Sequence, residues 1–226
     1  MKTIRIIYAF LYKDLLLELR QKTKIFTPLF FGTIVVFLFS FAFAHEPELL
    51  KKLSPGLIWL TVVLSSLLHL EETFEKEMEN GALDQWLLTN ASPRSLFLGK
   101  CLMQWILIFV LQIFVTAQMF ILFNLDLPKN WILLLNTSLL GSFGLAVVGS
   151  FYSALLSKLN GKQILFPLLF LPMILPLLLG CVFATQQAFS GNLFGEATLW
   201  LKLLVVFDTV FLAAGLLTIE PLLEVI

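Results

Sequence analysis

The sequence has little charge and few residues that could hold a metal ion or a disulfide framework. Only 13% of its 226 residues are charged, against about 25% in soluble domains, while 59% are hydrophobic and the mean hydropathy is +0.94. Two cysteines are too few for a disulfide scaffold or a four-cysteine metal site. Fifteen basic and fifteen acidic residues give a net charge of zero, so the sequence lacks the excess of basic residues that is typical of nucleic-acid binding. These shortages exclude a soluble domain and indicate an integral membrane protein.

The sequence also lacks the motifs of catalysis. No G-x-x-x-x-G-K-[ST] loop occurs, because Gly99-Lys100 and Gly161-Lys162 stand without the glycine-rich stretch before them. The two histidines, His45 and His69, fall at opposite ends of a predicted span and cannot form a bis-histidine haem site or a zinc cluster within one subunit. Nothing resembles a catalytic triad. We predict that the chain is not an enzyme by itself and binds no metal, and that a partner supplies the energy for any work.

Six stretches are apolar enough to cross a bilayer, and the first five of them contain no Asp, Glu, Lys or Arg. A helix needs about 20 apolar residues to cross the hydrocarbon core. The stretches are 25–44, 53–70, 101–125, 130–157, 163–195 and 203–219. The fifth is too long for one upright helix and holds three prolines, each of which kinks or interrupts a helix; they are Pro167, Pro172 and Pro176. The sequence therefore predicts an all-α integral membrane fold of six transmembrane helices with a proline-broken fifth region.

The last two spans contain candidates for an intramembrane or translocation role. Broken helices are common where transporters bind substrate, although simple kinked packing also explains the three prolines. Asp208 lies within the sixth span, where a carboxyl group costs a few kcal/mol unless it is paired, neutral or hydrated. We expect Asp208 to face the bundle interior or a partner subunit; the alternative is a position nearer the interface than the predicted boundary.

Basic residues are divided unevenly between the two sides of the predicted membrane. With alternate loops grouped, one side holds eleven Lys and Arg residues and the other holds four, which predicts that both termini are cytoplasmic. Trp59, Trp131 and Trp200 then fall near the outer ends of their helices, as in an aromatic belt. Residues 1–24 mix apolar and charged positions, which is typical of an amphipathic interfacial helix; a charged start that only sets orientation is the alternative.

A row of small residues in the fourth span predicts close helix packing. Ser142, Ala146, Ser150 and Ala154 recur at four-residue intervals, with glycines beside them at 141, 144 and 149. Such rows let two helices approach closely. Packing within the bundle and a dimer interface both fit this pattern.

The stretch 71–100 is the only sizeable water-exposed segment. It begins with an acidic run, EETFEKEMEN, and Gly81 then interrupts the helix before ALDQWLL restarts it with Leu83, Trp86 and Leu87 on one face. An exposed Trp–Leu face at the membrane edge favours docking to another protein, while packing on the bilayer surface is the alternative.

These motifs resemble the cytoplasmic stretch of type 2 ABC-transporter permeases. The resemblance rests on Glu75-x-Glu77, on Gly81-Ala82-Leu83-Asp84-Gln85-x-Leu87-Leu88, and on Ser92 followed by Gly99-Lys100. Within that superfamily, GLIWLTVVLSSLLHLEETFEKEMENGALDQWLL and FPLLFLPMILPLLL are similar to the haem exporter B family, the permease subunits of bacterial cytochrome c maturation.

The resemblance implies a single transmembrane permease domain over residues 1–226, with an interfacial helix at 1–24 and a cytoplasmic coupling loop at 71–100. It places ATPase coupling on Glu75, Gly81, Leu83, Asp84, Gln85, Trp86 and Leu87. It implies a multi-pass protein of the bacterial inner membrane that binds no cofactor alone, with haem as cargo of the complex.

The implied partners are an ATP-binding subunit that carries ATP and Mg, a haem-handling membrane protein, a periplasmic haem chaperone and a second copy of the chain. The complex would export haem, or would use ATP to release the haem-loaded chaperone. The alternative is a type 2 ABC permease that exports a lipid-linked sugar or a drug.

Overall fold

The computed structural model describes residues 8, 11–16, 18, 20, 22–74, 92–157, 159, 161–191 and 196–224. Helices account for all regular secondary structure in these residues. They are α1 (Lys22–Ala42), α2 (Pro47–Leu70, continued by a 3-10 turn at Glu71–Thr73), α3 (Pro93–Leu122), α4 (Trp131–Leu156), α5 (Lys162–Met173), α6 (Leu175–Ser190) and α7 (Glu196–Glu224). Tyr8, residues 11–16, Glu18 and Arg20 are also helical and precede α1.

The predicted class, an all-α membrane protein with a broken fifth region, is confirmed. Five of the described helices, namely α1, α2, α3, α4 and α7, are long and apolar enough to cross a membrane. The shorter pair α5 and α6 is bent by 53° at Ile174 and makes a sixth span if it is counted as one. Pro172 and Pro176 flank that bend, which fits their effect on a helix.

Helix boundaries run past the charge-free stretches from which the spans were predicted. α2 begins at Pro47, so that Lys51 and Lys52 lie inside it, and α3 begins at Pro93 rather than at Cys101. Both starts place a proline in the first turn, where its missing N–H has no helical partner to lose. Long Lys side chains can keep their charge at the interface while the helix continues. The charged residues therefore do not mark the helix ends.

The fourth helix lies at the centre of the bundle. α4 packs against α3, α7, α6 and α2. The small residues of its row are all buried, with Ser142, Ala146 and Ser150 at 0% exposure and Ala154 at 1%. The structure thus places this row inside the bundle of one chain.

The predicted aromatic belt is wrong for one of its three members. Trp131 is exposed and Trp200 is half-buried against Phe183, but Trp59 is 1% exposed and lies inside the bundle. Its indole Nε1 donates a hydrogen bond to Thr185 Oγ1 at 2.9 Å. The ring fits there because Gly141 of α4 has no side chain, and a Cβ at that position would overlap it.

Candidate functional site

The central part of the predicted coupling loop lies outside the described residues. This applies to Glu75, Gly81, Leu83, Asp84, Gln85, Trp86 and Leu87, which all fall within 75–91. The structure does describe both attachments of this stretch to the bundle, at Phe74 and at Ser92. We call residues 75–91 the coupling segment, and the end of the bundle that carries Phe74 and Ser92 the loop face.

The first attachment is buried and hydrogen-bonded to two helices. Phe74 is 1% exposed, and its backbone N–H donates to Ser153 Oγ of α4 at 3.3 Å. The same Ser153 hydroxyl donates to the carbonyl oxygen of Glu71 at 2.9 Å. On the α3 side, Gln104 Nε2 donates to Thr73 Oγ1 at 2.8 Å. Residues 71–74 are therefore hydrogen-bonded to both α3 and α4.

The second attachment is a capped helix start. Ser92 is the N-cap of α3, and its Oγ accepts a hydrogen bond from the backbone N–H of Ser95 at 3.3 Å. A serine N-cap accepts a hydrogen bond from a backbone N–H of the first turn. Proline fits the first helical position because its missing N–H would have no partner there. The end of the coupling segment is thereby joined directly to the longest helix described.

Among the described residues, three ion pairs between positions distant in the sequence lie near these attachments on the loop face. Lys24 Nζ of α1 lies 2.6 Å from Glu72 Oε2, just before the coupling segment. Arg94 Nη2 of α3 lies 2.7 Å from Glu220 Oε2 of α7.

The third pair reaches the helical residues that precede α1. Lys100 Nζ of α3 lies 3.1 Å from Asp14 Oδ2. The flanks of the coupling segment are thus tied to the N-terminal helical residues, to α1 and to α7. Because all three pairs join positions distant in the sequence, spacing alone does not reveal them. The only sequence signal was the presence of charged residues in otherwise apolar helices.

Asp208 lies near the middle of α7, about 18 Å along the helix axis from Glu196. It is 4% exposed and faces the bundle interior. Neither carboxylate oxygen has a hydrogen-bond partner among the residues described. The Oδ1 atom lies over Gly144 of α4, next to Leu177 of α6.

The other three translocation candidates do not join Asp208 in one site. Pro167 is half-buried, while Pro172 and Pro176 are exposed. Pro176 lines an apolar groove of about 410 Å³ between α6 and α7, which Lys202 and Val206 also line. Asp208 is not part of the groove lining. The fifth region therefore bends at the bundle surface while the carboxylate is enclosed within the bundle.

The histidines and cysteines are dispersed through the bundle. His69 lines a cavity of about 30 Å³ between α1, α2 and α3, which has room for about one water molecule. His45 is exposed beyond the opposite end of α2. Cys101 and Cys181 are free thiols, both buried. Within the described part of the chain, no three His, Cys, Asp or Glu side chains are placed to hold a metal ion.

Comparison with known proteins gives one consistent result. The family model of the CcmB protein matches residues 5–222. Heme exporter protein B of Pseudomonas aeruginosa is 35% identical over 192 residues, covering 84% of this chain and 85% of that protein. The proteins of the same name from Rhodobacter capsulatus and Haemophilus influenzae are 34% and 30% identical, over 76% and 74% of this chain and 78% and 75% of their own lengths. A family match over nearly the whole length, together with these identities, shows that the chain belongs to the CcmB protein family.

Proposed function

We propose that this chain is the membrane permease subunit of an ABC transporter complex that acts in haem handling for cytochrome c maturation. Support comes from the family match over residues 5–222 and from relatives named for haem export. An all-helical bundle with five or six membrane-crossing helices is the architecture that such a subunit needs. The complex lies in the bacterial inner membrane, with both termini of this chain in the cytoplasm.

ATP binding and hydrolysis belong to a separate subunit, because this sequence has no phosphate-binding loop of the Walker type. Further partners are a haem-handling membrane protein and a periplasmic haem chaperone. A second copy of this chain completes the complex. ATP hydrolysis drives haem export or the release of the haem-loaded chaperone, and both outcomes require the same transfer of movement into the membrane.

The coupling segment is the element that receives this movement. The observation that supports the proposal is that the residues on both sides of the segment are bonded to the bundle. One end is buried at Phe74 and bonded to Ser153, and the other begins α3 at the Ser92 cap. A displacement of the segment by a closing ATP-binding subunit therefore acts directly on α3 and α4. Leu83 and Trp86 are the proposed anchors in a groove of that subunit.

The test is co-purification of the ATP-binding subunit with tagged chain from membranes. A buried Trp anchor carries about 2 kcal/mol or more of an interface, so Trp86→Ala should weaken retention about thirtyfold. Gly81→Val should lower cytochrome c assembly even where binding survives, since it restricts the backbone between the two short helices predicted from the sequence. Trp131→Ala is the matched control, because Trp131 is exposed at the opposite end of the bundle. Wild-type retention and assembly in both Trp86→Ala and Gly81→Val would refute the proposed role of the segment.

A further inference from the structure

The pair formed by Asp14 and Lys100 differs from the other ion pairs of the loop face in its burial. Both side chains are only 9% exposed, and the Nζ–Oδ2 distance is 3.1 Å. The side chains of Arg94 and Glu220 are 52% and 33% exposed, and those of Lys24 and Glu72 are 21% and 45% exposed. Exposed pairs contribute little to holding two elements together, because water and salt screen them. The buried pair is therefore the least screened electrostatic link at this face among the described residues.

The position of this link matters as much as its burial. Lys100 is the eighth residue of α3, about 10 Å along the axis from Pro93, where the coupling segment ends. Asp14 belongs to the helical residues that precede α1, namely 8, 11–16, 18 and 20, which we call the N-terminal helix. The pair thus connects the N-terminal helical residues to the helix that the coupling segment enters.

The carboxylate of Asp14 lies close to two lysine side chains. Lys13 Nζ lies 3.4 Å from Asp14 Oδ1, so that the two oxygens face different cations, and the contact of Oδ2 with Lys100 is an ion pair without a hydrogen bond. Two buried opposite charges are stable only while they stay together, since separating them leaves an uncompensated charge in a poorly hydrated place. Movement of α3 at Lys100 must therefore carry Asp14 with it.

We propose that the Asp14–Lys100 pair makes the N-terminal helix a second coupling element that moves together with the base of the coupling segment. This inference rests on the proposed function, because it assigns to the N-terminal helix a share in the same transfer of movement from the ATP-binding subunit. Asp14 and Lys100 are positioning residues in this scheme. In this scheme they contact neither ATP nor haem. They act by holding the N-terminal helix against α3, so that the two move together.

The decisive variant is the double neutral exchange Asp14→Asn with Lys100→Met, made in the full chain within its complex. Removing one positive and one negative charge keeps the net charge of the pair at zero, so the bundle should still assemble. The measured quantity is cytochrome c assembled per ATP hydrolysed. We expect this ratio to fall about fivefold or more while the ATP-binding subunit co-purifies at the wild-type level.

The matched control is Arg94→Gln with Glu220→Gln, which removes an exposed pair at the same face. We expect its ratio to stay within about twofold of the wild type. A second variant, Asp14→Glu, keeps the charge but displaces the carboxylate by one methylene, and we expect an intermediate ratio. It also serves as the test if the double variant fails to assemble.

The outcomes separate this inference from the proposed function. If wild-type chain does not retain an ATP-binding subunit, the proposed function fails. If the wild type retains it and both Asp14 variants give the wild-type ratio, the N-terminal helix has no part in coupling, and only this inference is overturned. A loss of complex in the double variant together with a wild-type ratio in Asp14→Glu would likewise overturn it, since the pair would then be needed only for assembly.

Discussion

The carboxylate of Asp208 occupies the space that a side chain at Gly144 would fill. A Cβ built on Gly144 overlaps Asp208 Oδ1 and also approaches the Leu177 methyl groups within 3 Å. These three residues belong to α7, α4 and α6, so that three helices meet at one point of the bundle interior. The glycine at 144 is thus required by its neighbours, because only the absence of a side chain lets α6 and α7 approach α4 this closely.

Gly144→Ala should destabilise the bundle. The added methyl group must displace the Asp208 carboxylate or Leu177, and overpacking of this kind costs about 1–3 kcal/mol. Thermal unfolding of the purified chain in detergent measures the effect. Gly56→Ala is the matched control, because a Cβ at Gly56 meets nothing within 4 Å. An equal loss of stability in both variants would show that the space at Gly144 is unimportant.

We expect Asp208 to lower the stability of the bundle and to be required for function. Its two oxygens are buried without a hydrogen-bond partner among the described residues, and an unsatisfied buried polar group costs about 1–3 kcal/mol. We therefore expect Asp208→Leu to raise the unfolding temperature while cytochrome c assembly falls. Asp208→Asn should also lower assembly, and Asp208→Glu should be partly tolerated.

The adjacent Thr209→Leu exchange is the control for Asp208, because Thr209 is exposed on the outside of α7. It should change neither the unfolding temperature nor assembly. Wild-type assembly in both Asp208→Asn and Asp208→Leu would remove Asp208 from the candidates for translocation.

Trp59 and Thr185 should behave as a coupled pair. Thr185→Val leaves the buried indole N–H without its acceptor, which costs about 1–3 kcal/mol, and Trp59→Phe removes the donor together with part of the packing against Gly141. The double exchange removes both hydrogen-bond partners, so its cost should be smaller than the sum of the two single costs. A double-mutant cycle on the unfolding free energy measures the difference. Additive costs would indicate that the 2.9 Å hydrogen bond does not stabilise the bundle.

The bent pair α5–α6 should cross the membrane once. Reporter fusions after residue 80 and at the C-terminus should then report the cytoplasm, and a fusion at Glu48 should report the periplasm. A fusion at residue 192 should also report the periplasm, since it follows the end of α6. A periplasmic signal from the C-terminus would mean that the 53° bend belongs to a segment that turns back.

The membrane architecture was predictable because the bilayer imposes it. A chain in hydrocarbon must satisfy its backbone hydrogen bonds within each helix, so that long apolar stretches become helices regardless of their neighbours. The break of the fifth region followed equally from Pro172 and Pro176. Helix starts at Pro47 and Pro93 were missed because the predicted spans ended at the nearest charge.

Side-chain partners were not predictable, because they depend on how the helices pack. Trp59 has the sequence position of a belt residue, but the space left by the missing side chain of Gly141 accommodates its ring in the interior. Asp14 and Lys100 have the same charges as many interfacial residues, and nothing near either one in the sequence indicates that they meet. The coupling segment was identified by its resemblance to a family motif; the structure adds the contacts of the two residues that flank it, Phe74 and Ser92.

The central position of α4 has a consequence for biosynthesis. Three helices follow it in the chain, and the last of them, α7, covers one of its principal packing surfaces and brings Asp208 to Gly144. During synthesis, the polar and glycine-lined side of α4 therefore stays unshielded until α7 has entered the bilayer. A chain whose translation stops between α4 and α7 therefore lacks the helix that covers this side of α4.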